Sequence, residues 1–321
     1  MEKEQLPMEN SFLCLGLIMR DILIRGVDTL PQHWEQTLVA RGIRSDTGGG
    51  AANSARTLGR LGAKVSLSGR LGDDDFGRAI RADLAADHVD TTPLRSDPEE
   101  PSGVAVGLVR EDGKRCFITV RGAGSRYCAA DLADIPWSSY PYVHINGYFQ
   151  FPALEPDLPA LLERARAAGC VISFDTASWD ASGRWFESIR PFAKYIDYFF
   201  ANDAQLAQLT HCARPEEAAR FLLSQGVGNV IAKLGGSGSI SFGADGSAVS
   251  AAAYPIRAVD TTGAGDSFDA AYMLGVSLGW DTRSCAEFAN TVAGLNCTRL
   301  GATAGVPDFE TALRLARENY R

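Results

Sequence analysis

The chain has 321 residues and a mass of 34.4 kDa, with 45% hydrophobic and 22% charged side chains, and 31 basic against 39 acidic residues give a formal charge of −8. Such a composition excludes a disordered chain and supports a substantial buried core. With a pI near 5.1 and no basic block, the chain lacks the charge needed to release counterions from a phosphate backbone, which argues against nucleic acid as a partner.

The first residues, Met1-Glu2-Lys3-Glu4-Gln5, lack the basic and apolar regions of a secretory leader. An apolar β run from Phe12 to Ile18 follows, and the stretch from Asp21 to Arg44, which lacks helical periodicity, is expected to add strands to a small flap. Gly48-Gly49-Gly50-Ala51-Ala52-Asn53 then opens a helix carried by Ala55, Leu58 and Leu61. After a strand at Val65 to Ser68, the acids Asp73-Asp74-Asp75 lie in a Gly-flanked loop and read as a solvated turn. Two β runs, Gly103 to Val109 and Cys116 to Val120, meet at Glu111-Asp112-Gly113-Lys114, whose Asp-Gly centre suits a tight antiparallel hairpin. This hairpin is the flap, and Arg121 at its end could reach a ligand oxygen.

From Ile135 to Leu154 the chain is uncharged, yet three prolines and polar side chains such as Asn146 and Gln150 rule out a membrane span. Strands at Tyr142 to Asn146, Val171 to Asp175, Tyr198 to Ala201, Val230 to Leu234 and Ser239 to Phe242 alternate with helical patterns, one marked by Leu158, Leu161, Leu162 and Ala165. That rhythm predicts a mostly parallel sheet covered on both faces. A second stripe, Cys285, Phe288, Val292 and Leu295, marks a helix near the end. The seven cysteines (Cys14, Cys116, Cys128, Cys170, Cys212, Cys285, Cys297) form no CxxC pair and read as reduced thiols of a cytoplasmic protein.

The strongest chemical signal is Asp260-Thr261-Thr262-Gly263-Ala264-Gly265-Asp266-Ser267-Phe268, which leads into a helix through Phe268, Tyr272 and Val276. Glycines let successive amides converge on an anion at a helix start, where the dipole adds to the attraction. A phosphoryl group suits that pocket, and Asp266 could accept the proton of an attacking alcohol. In the earlier glycine run, Asn53 offers both donor and acceptor, the functionality that sugar hydroxyls require.

The two motifs, in this order, resemble the ribokinase-like (PfkB) carbohydrate kinase family across nearly the whole chain. Gly48-Gly49 through Asn53, Gly62 and Gly72-Asp73-Asp74-Asp75-Phe76-Gly77 resemble its N-terminal signature, and Asp260 through Asp266 to Ala270-Ala271-Tyr272-Met273 its C-terminal one. The resemblance implies a three-layer α/β/α fold with a central, mostly parallel sheet. A small β lid, formed by about 21–47 and 101–122, would be inserted in a single kinase domain spanning 1–321. It also implies transfer of the γ-phosphoryl of ATP to a primary hydroxyl of a sugar or sugar-like alcohol. Asp266 matches the catalytic base, and the amides of Gly263, Ala264, Gly265 and Asp266 match the anion hole. Asp21, Gly49, Gly50 and Asn53 match sugar contacts, with Asn146 and Arg121 added from their positions. Asn202, Lys233, Gly235, Gly238 and Asn290 match the nucleotide and Mg2+ side. Asp260 and Thr262, with the backbone near Arg299 to Gly301, match a loop for a monovalent cation, K+. A homodimer through the lid is also implied.

The chain departs from the family at Asn202-Asp203-Ala204-Gln205, where the family's Asn-x-x-Glu helps to organise magnesium, and at Ala51 and Asp269, in place of glycine and asparagine. The lost glutamate keeps open a non-catalytic sugar or nucleotide sensor on the same fold, and a nucleoside kinase is a second alternative. An NAD-dependent oxidoreductase fails on its fingerprint, since Gly48-x-Gly50 reaches Asn53 and Gly263-x-Gly265 reaches Phe268. Dispersed histidines without HExxH give no zinc site.

Overall fold

The structure is a computed structural model that describes residues 11–30, 32–111, 115–176, 183 and 185–320. The expectation for the first residues and the hairpin's Asp112-Gly113-Lys114 turn lie outside them. Fourteen strands are described: β1 (Ser11–Gly16), β2 (Met19–Arg25), β3 (Gly42–Gly48), β4 (Lys64–Gly72), β5 (Val89–Asp90), β6 (Leu94–Asp97) and β7 (Val104–Val109). The others are β8 (Arg115–Val120), β9 (Tyr142–Asn146), β10 (Val171–Asp175), β11 (Tyr198–Asn202), β12 (Asn229–Lys233), β13 (Ser239–Gly243) and β14 (Ala248–Ala251). The α-helices are α1 (Gly50–Arg60), α2 (Asp75–Ala86), α3 (Leu158–Ala167), α4 (Phe186–Ile189), α5 (Asp203–Thr210), α6 (Pro215–Ser224), α7 (Ala264–Ser277), α8 (Thr282–Asn296) and α9 (Phe309–Asn319).

The large sheet runs β14-β13-β12-β11-β10-β9-β1-β4-β5, with β6 paired to β4. Its pairings from β12 to β5 are parallel, and the β12–β13 and β13–β14 pairings are antiparallel, so that β13 alone is reversed. A strand buried on both faces needs apolar side chains at every position, with alternate residues serving opposite layers. In β1, Leu13 and Leu15 enter the core with Val143, Ile145 and Phe174, while Phe12 and Cys14 enter the other with Leu67, Phe268 and Tyr272. This is the three-layer α/β fold expected from the sequence, with a separate four-stranded lid sheet in the order β3-β2-β7-β8.

Several element boundaries differ from the sequence expectation. The first strand stops at Gly16, not Ile18: Leu17 N–H makes the last ladder bond to Asn146 O, and Met19 already belongs to β2 of the lid. The strand expected at Val65 to Ser68 continues to Gly72, and that expected at Val230 to Leu234 stops at Lys233, where Leu234 N–H closes a turn on Gly238 O. Asp74 caps α2, accepting from Gly77 N–H at 2.7 Å and from Ser102 N–H and Oγ at 2.7 Å each. One of the three acids read as a solvated turn thus joins α2 to the segment entering the lid. Among the described residues, no helix is long and apolar enough to cross a membrane.

Candidate functional site

Parallel registry brings the chemistry to one edge of the sheet. Gly16 of β1 pairs with Asn146 of β9, Asn146 with Asp175 of β10, and Asn202 of β11 with Lys233 of β12. Each is the last residue of its strand, so the sheet's C-terminal edge carries an amide, a carboxylate, a second amide and an ammonium in sequence, where ligands settle in open α/β sheets.

Against this edge α7 begins. Its cap, Gly263, holds φ at +70°, and a Cβ there would fall 2.1 Å from Ala302 O. Ala264 N–H turns back to Thr261 O at 3.3 Å, whereas Gly265 and Asp266 sit in the first turn, where helical amides lack intrahelical acceptors. Asp266 lies between two buried asparagines: Oδ2 accepts from Asn53 Nδ2 at 2.8 Å, and Oδ1 from Asn146 Nδ2 at 3.0 Å. Burial raises its pKa; Asn53 opposes the rise, Asp175 adds to it, and Lys233 and Asn146 pull it down. With their amide nitrogens turned to the carboxylate, Asn53 and Asn146 leave both Oδ1 atoms buried and without a partner among the described residues. Two orphan acceptors therefore flank one carboxylate.

Asp21, on lid strand β2, faces the same region. Gly48 lies close against it: a Cβ on Gly48 would lie 2.0 Å from Asp21 Oδ2 and would push that carboxylate aside. Burial first, then the like charges of Asp46 and Asp266, push the Asp21 pKa up to about 7 against the pull of Arg20. Gly49 caps α1, and Gly50 lies against the Asn146 amide. Arg121 stands at the lid–body junction, Nε donating to Gln150 Oε1 at 3.2 Å, and no hydrogen bond described joins it to Asp21, Asn53 or Asp266.

On the other side of α7 a cleft is lined by Lys233, Gly235, Gly238, Gly265, Phe268 and Asn290, among others. Gly235 and Gly238 form the turn after β12, and Asn290 spends its Nδ2 on Ser239 Oγ at 3.0 Å. Lys233 Nζ meets Asp175 Oδ2 at 2.5 Å and Asp269 at 2.9 and 3.0 Å, all three side chains being largely buried. Burial works against the lysine charge, but the two aspartates outweigh it and hold its pKa above the ordinary value, while burial holds the Asp269 carboxyl well above its own. Asp175 and Asp269 are partners that the motif reading did not place in the site. The signal for Asp175 was an acid closing an otherwise apolar strand.

Asn202 and Gln205 form a capping box at the start of α5: Gln205 N–H reaches Asn202 Oδ1 at 2.8 Å, and Asn202 N–H reaches Gln205 Oε1 at 2.7 Å. Gln205 serves this cap as well as glutamate would, without the negative charge. Beyond α7, Asp260 Oδ1 accepts from Thr262 N–H and Oγ1 at 3.0 and 2.6 Å, and Oδ2 from Gly301 N–H at 3.0 Å. The candidate cation residues and the 299–301 backbone are thus neighbours.

The profile of the pfkB family carbohydrate kinases matches residues 10–308. An aminoimidazole riboside kinase of Salmonella typhimurium is 30% identical over 81% of this chain and 84% of its own, and an ATP-dependent ribose-1-phosphate kinase of Halopiger xanaduensis is 29% identical over 90% and 93%. Among solved structures, Arabidopsis thaliana ribokinase complexed with ribose and ATP superposes with a TM-score of 0.85 at 25% identity, covering 97% of this chain and 99% of that one. With a glycine-capped helix start, a buried carboxylate in its first turn and a family profile spanning almost its whole length, the chain belongs to the pfkB family of carbohydrate kinases, as an ATP-dependent sugar or nucleoside kinase.

Proposed function

We propose that this enzyme moves the γ-phosphoryl of ATP to a primary hydroxyl of a sugar or sugar-like alcohol, with Asp266 as base and the turn from Gly263 to Asp266 as the anion hole. One observation carries the reading: the Asp266 carboxylate is fixed by two asparagines whose orphan oxygens are suited to receive hydroxyl protons from an acceptor. Asp21 and the Gly49–Gly50 backbone complete the acceptor pocket, and Arg121 stands at its rim. Asp266 takes the hydroxyl proton as the oxygen attacks phosphorus, and the α7 amides receive the charge on the transferring oxygens. The lid excludes water when it closes over this single domain.

ATP lies in the cleft beside Lys233, Gly235, Gly238 and Asn290. Magnesium, which is held largely by phosphates and water, suits the oxygens of Asn202, paired with Lys233 at the strand ends, and of Asp203, and would neutralise phosphate charge. The oxygens of Asp260 and Thr262 suit K+, and turnover is expected to be higher in potassium than in sodium or choline salts; equal rates would remove the cation. Exposed Ile43, Phe117, Ile118 and Val120 on the lid sheet support a homodimer through it, which light scattering would test. A cytoplasmic location accords with ATP supply.

The test is ATP turnover over ribose-like, fructose-like and acidic sugars and nucleosides. Binding without phosphorylation of any of them would favour the sensor reading, which rests on the uncharged Gln205. The Asp21 carboxyl gives a second expectation. As pH rises through about 7 it ionises and accepts sugar hydroxyl bonds, so kcat/KM rises, while stability falls between about 4 and 7 because the folded state holds the proton more tightly than the unfolded chain. Asp21→Asn is expected to raise the sugar KM by roughly 10- to 100-fold, the value of a charge-assisted hydrogen bond, and to flatten that limb of the profile. An unchanged limb would move Asp21 out of the pocket.

A further inference from the structure

Lys233, Asp175 and Asp269 come from the ends of β12 and β10 and from the first turns of α7, and the resemblance gave the two aspartates no role. Lys233 is the one cationic side chain among the described residues lining the nucleotide cleft. Its position is marked by Gly265: a Cβ built there would lie 3.1 Å from Lys233 Nζ and 3.7 Å from Cε, with no other group beyond the helix's own backbone within 4 Å among the described residues. The triad thus shows the α7 turn its ammonium, with neither carboxylate at that point. Meanwhile Gln205 is folded into the α5 cap and brings no charge to hold a metal. A buried lysine with two acids is a poor source of stability, since apolar residues of similar volume serve as well or better. Its placement against an anion pocket calls for a different account.

We propose that Lys233 is a second catalytic residue, whose ammonium binds the phosphoryl oxygens delivered to the Gly263–Asp266 turn, and that Asp175 and Asp269 are the positioning residues that hold it there. This rests on the kinase reading. In the transfer the acceptor oxygen bonds to the γ-phosphorus, the bond from phosphorus to the bridging oxygen breaks, ADP leaves with the electron pair, and the hydroxyl proton goes to Asp266. Lys233 keeps its proton throughout and supplies charge alone.

The experiment compares the full chain with Lys233→Met and with the triple variant Lys233→Met, Asp175→Asn, Asp269→Asn, in which no buried charge is left unpaired. Calorimetric Kd values for AMP-PNP and ADP, taken in EDTA, read the terminal phosphate without the metal. Lys233→Met is expected to weaken AMP-PNP by about 10- to 100-fold with ADP far less affected, and to lower kcat by about 10²-fold or more. The triple variant is expected to melt as one cooperative unit yet stay as slow as Lys233→Met. An unchanged AMP-PNP to ADP ratio, or a triple variant that regains wild-type kcat, would overturn the proposal, the latter by making the triad a structural unit. If the wild-type chain phosphorylates no acceptor, the kinase reading fails, and the nucleotide ratio still judges Lys233.

Discussion

Asp266→Asn is expected to lower kcat by about 10²- to 10⁴-fold, the contribution of a positioned base, while leaving the fold intact. The substitution puts an NH2 where one carboxylate oxygen accepted from Asn53 or Asn146, so two donors would face each other. Rotation of that asparagine's amide resolves the conflict, because its free Oδ1 can accept from the new amide. The same rotation presents a donor to the acceptor pocket where an oxygen stood, so the sugar KM is expected to change together with kcat. Stability moves the other way. Burial disfavours the Asp266 anion, so a neutral isostere removes a cost at neutral pH and the melting temperature should match or exceed that of the wild type. Steady-state kinetics with calorimetry checks both halves; near-normal turnover would take the base role away from Asp266.

What the sequence made legible depended on how local each cause was. Both layers of β1 follow from alternation within six residues, and α7 and its glycine cap from a contiguous motif. The two-residue β5 and four-residue β6 and β14 carry too few positions to display a period, and pairing at the ends of the sheet sets them. Asn202 and Gln205 had the spacing of a capping box, although the motif reading treated them only as an altered metal site. The Lys233 triad was beyond reach, because Asp175 and Asp269 meet the lysine only through strand registry and the docking of α7. Asp21 shows the same limit: its residue was named by resemblance, but its pKa near 7 comes first from burial in the folded chain and then from Asp46 and Asp266, neighbours that only the fold brings to it.

Gly263 and Gly279 bracket α7 with φ of 70° and 74°, so alanine at either costs roughly 1–2 kcal/mol of left-handed strain. Their surroundings separate them. Among the described residues, no atom beyond the adjoining backbone lies within 4 Å of a Cβ on Gly279, whereas one on Gly263 would stand 2.1 Å from Ala302 O. That carbonyl belongs to a braced loop: Asn296 Nδ2 donates to Ala302 O at 2.7 Å, Gly301 N–H to Asp260 Oδ2 at 3.0 Å and Arg44 Nη1 to Leu300 O at 2.5 Å. The start of α7 must therefore shift instead, and displacing a positioned reacting group by about 1 Å costs on the order of 10² in rate. Gly279→Ala is expected to lower the melting temperature by a few degrees with kcat intact, and Gly263→Ala to lower it further and to lose about 10²-fold in kcat. Equal melting losses with kcat retained in both variants would make the Gly263 turn a spacer and leave the transferring phosphoryl group to be held elsewhere.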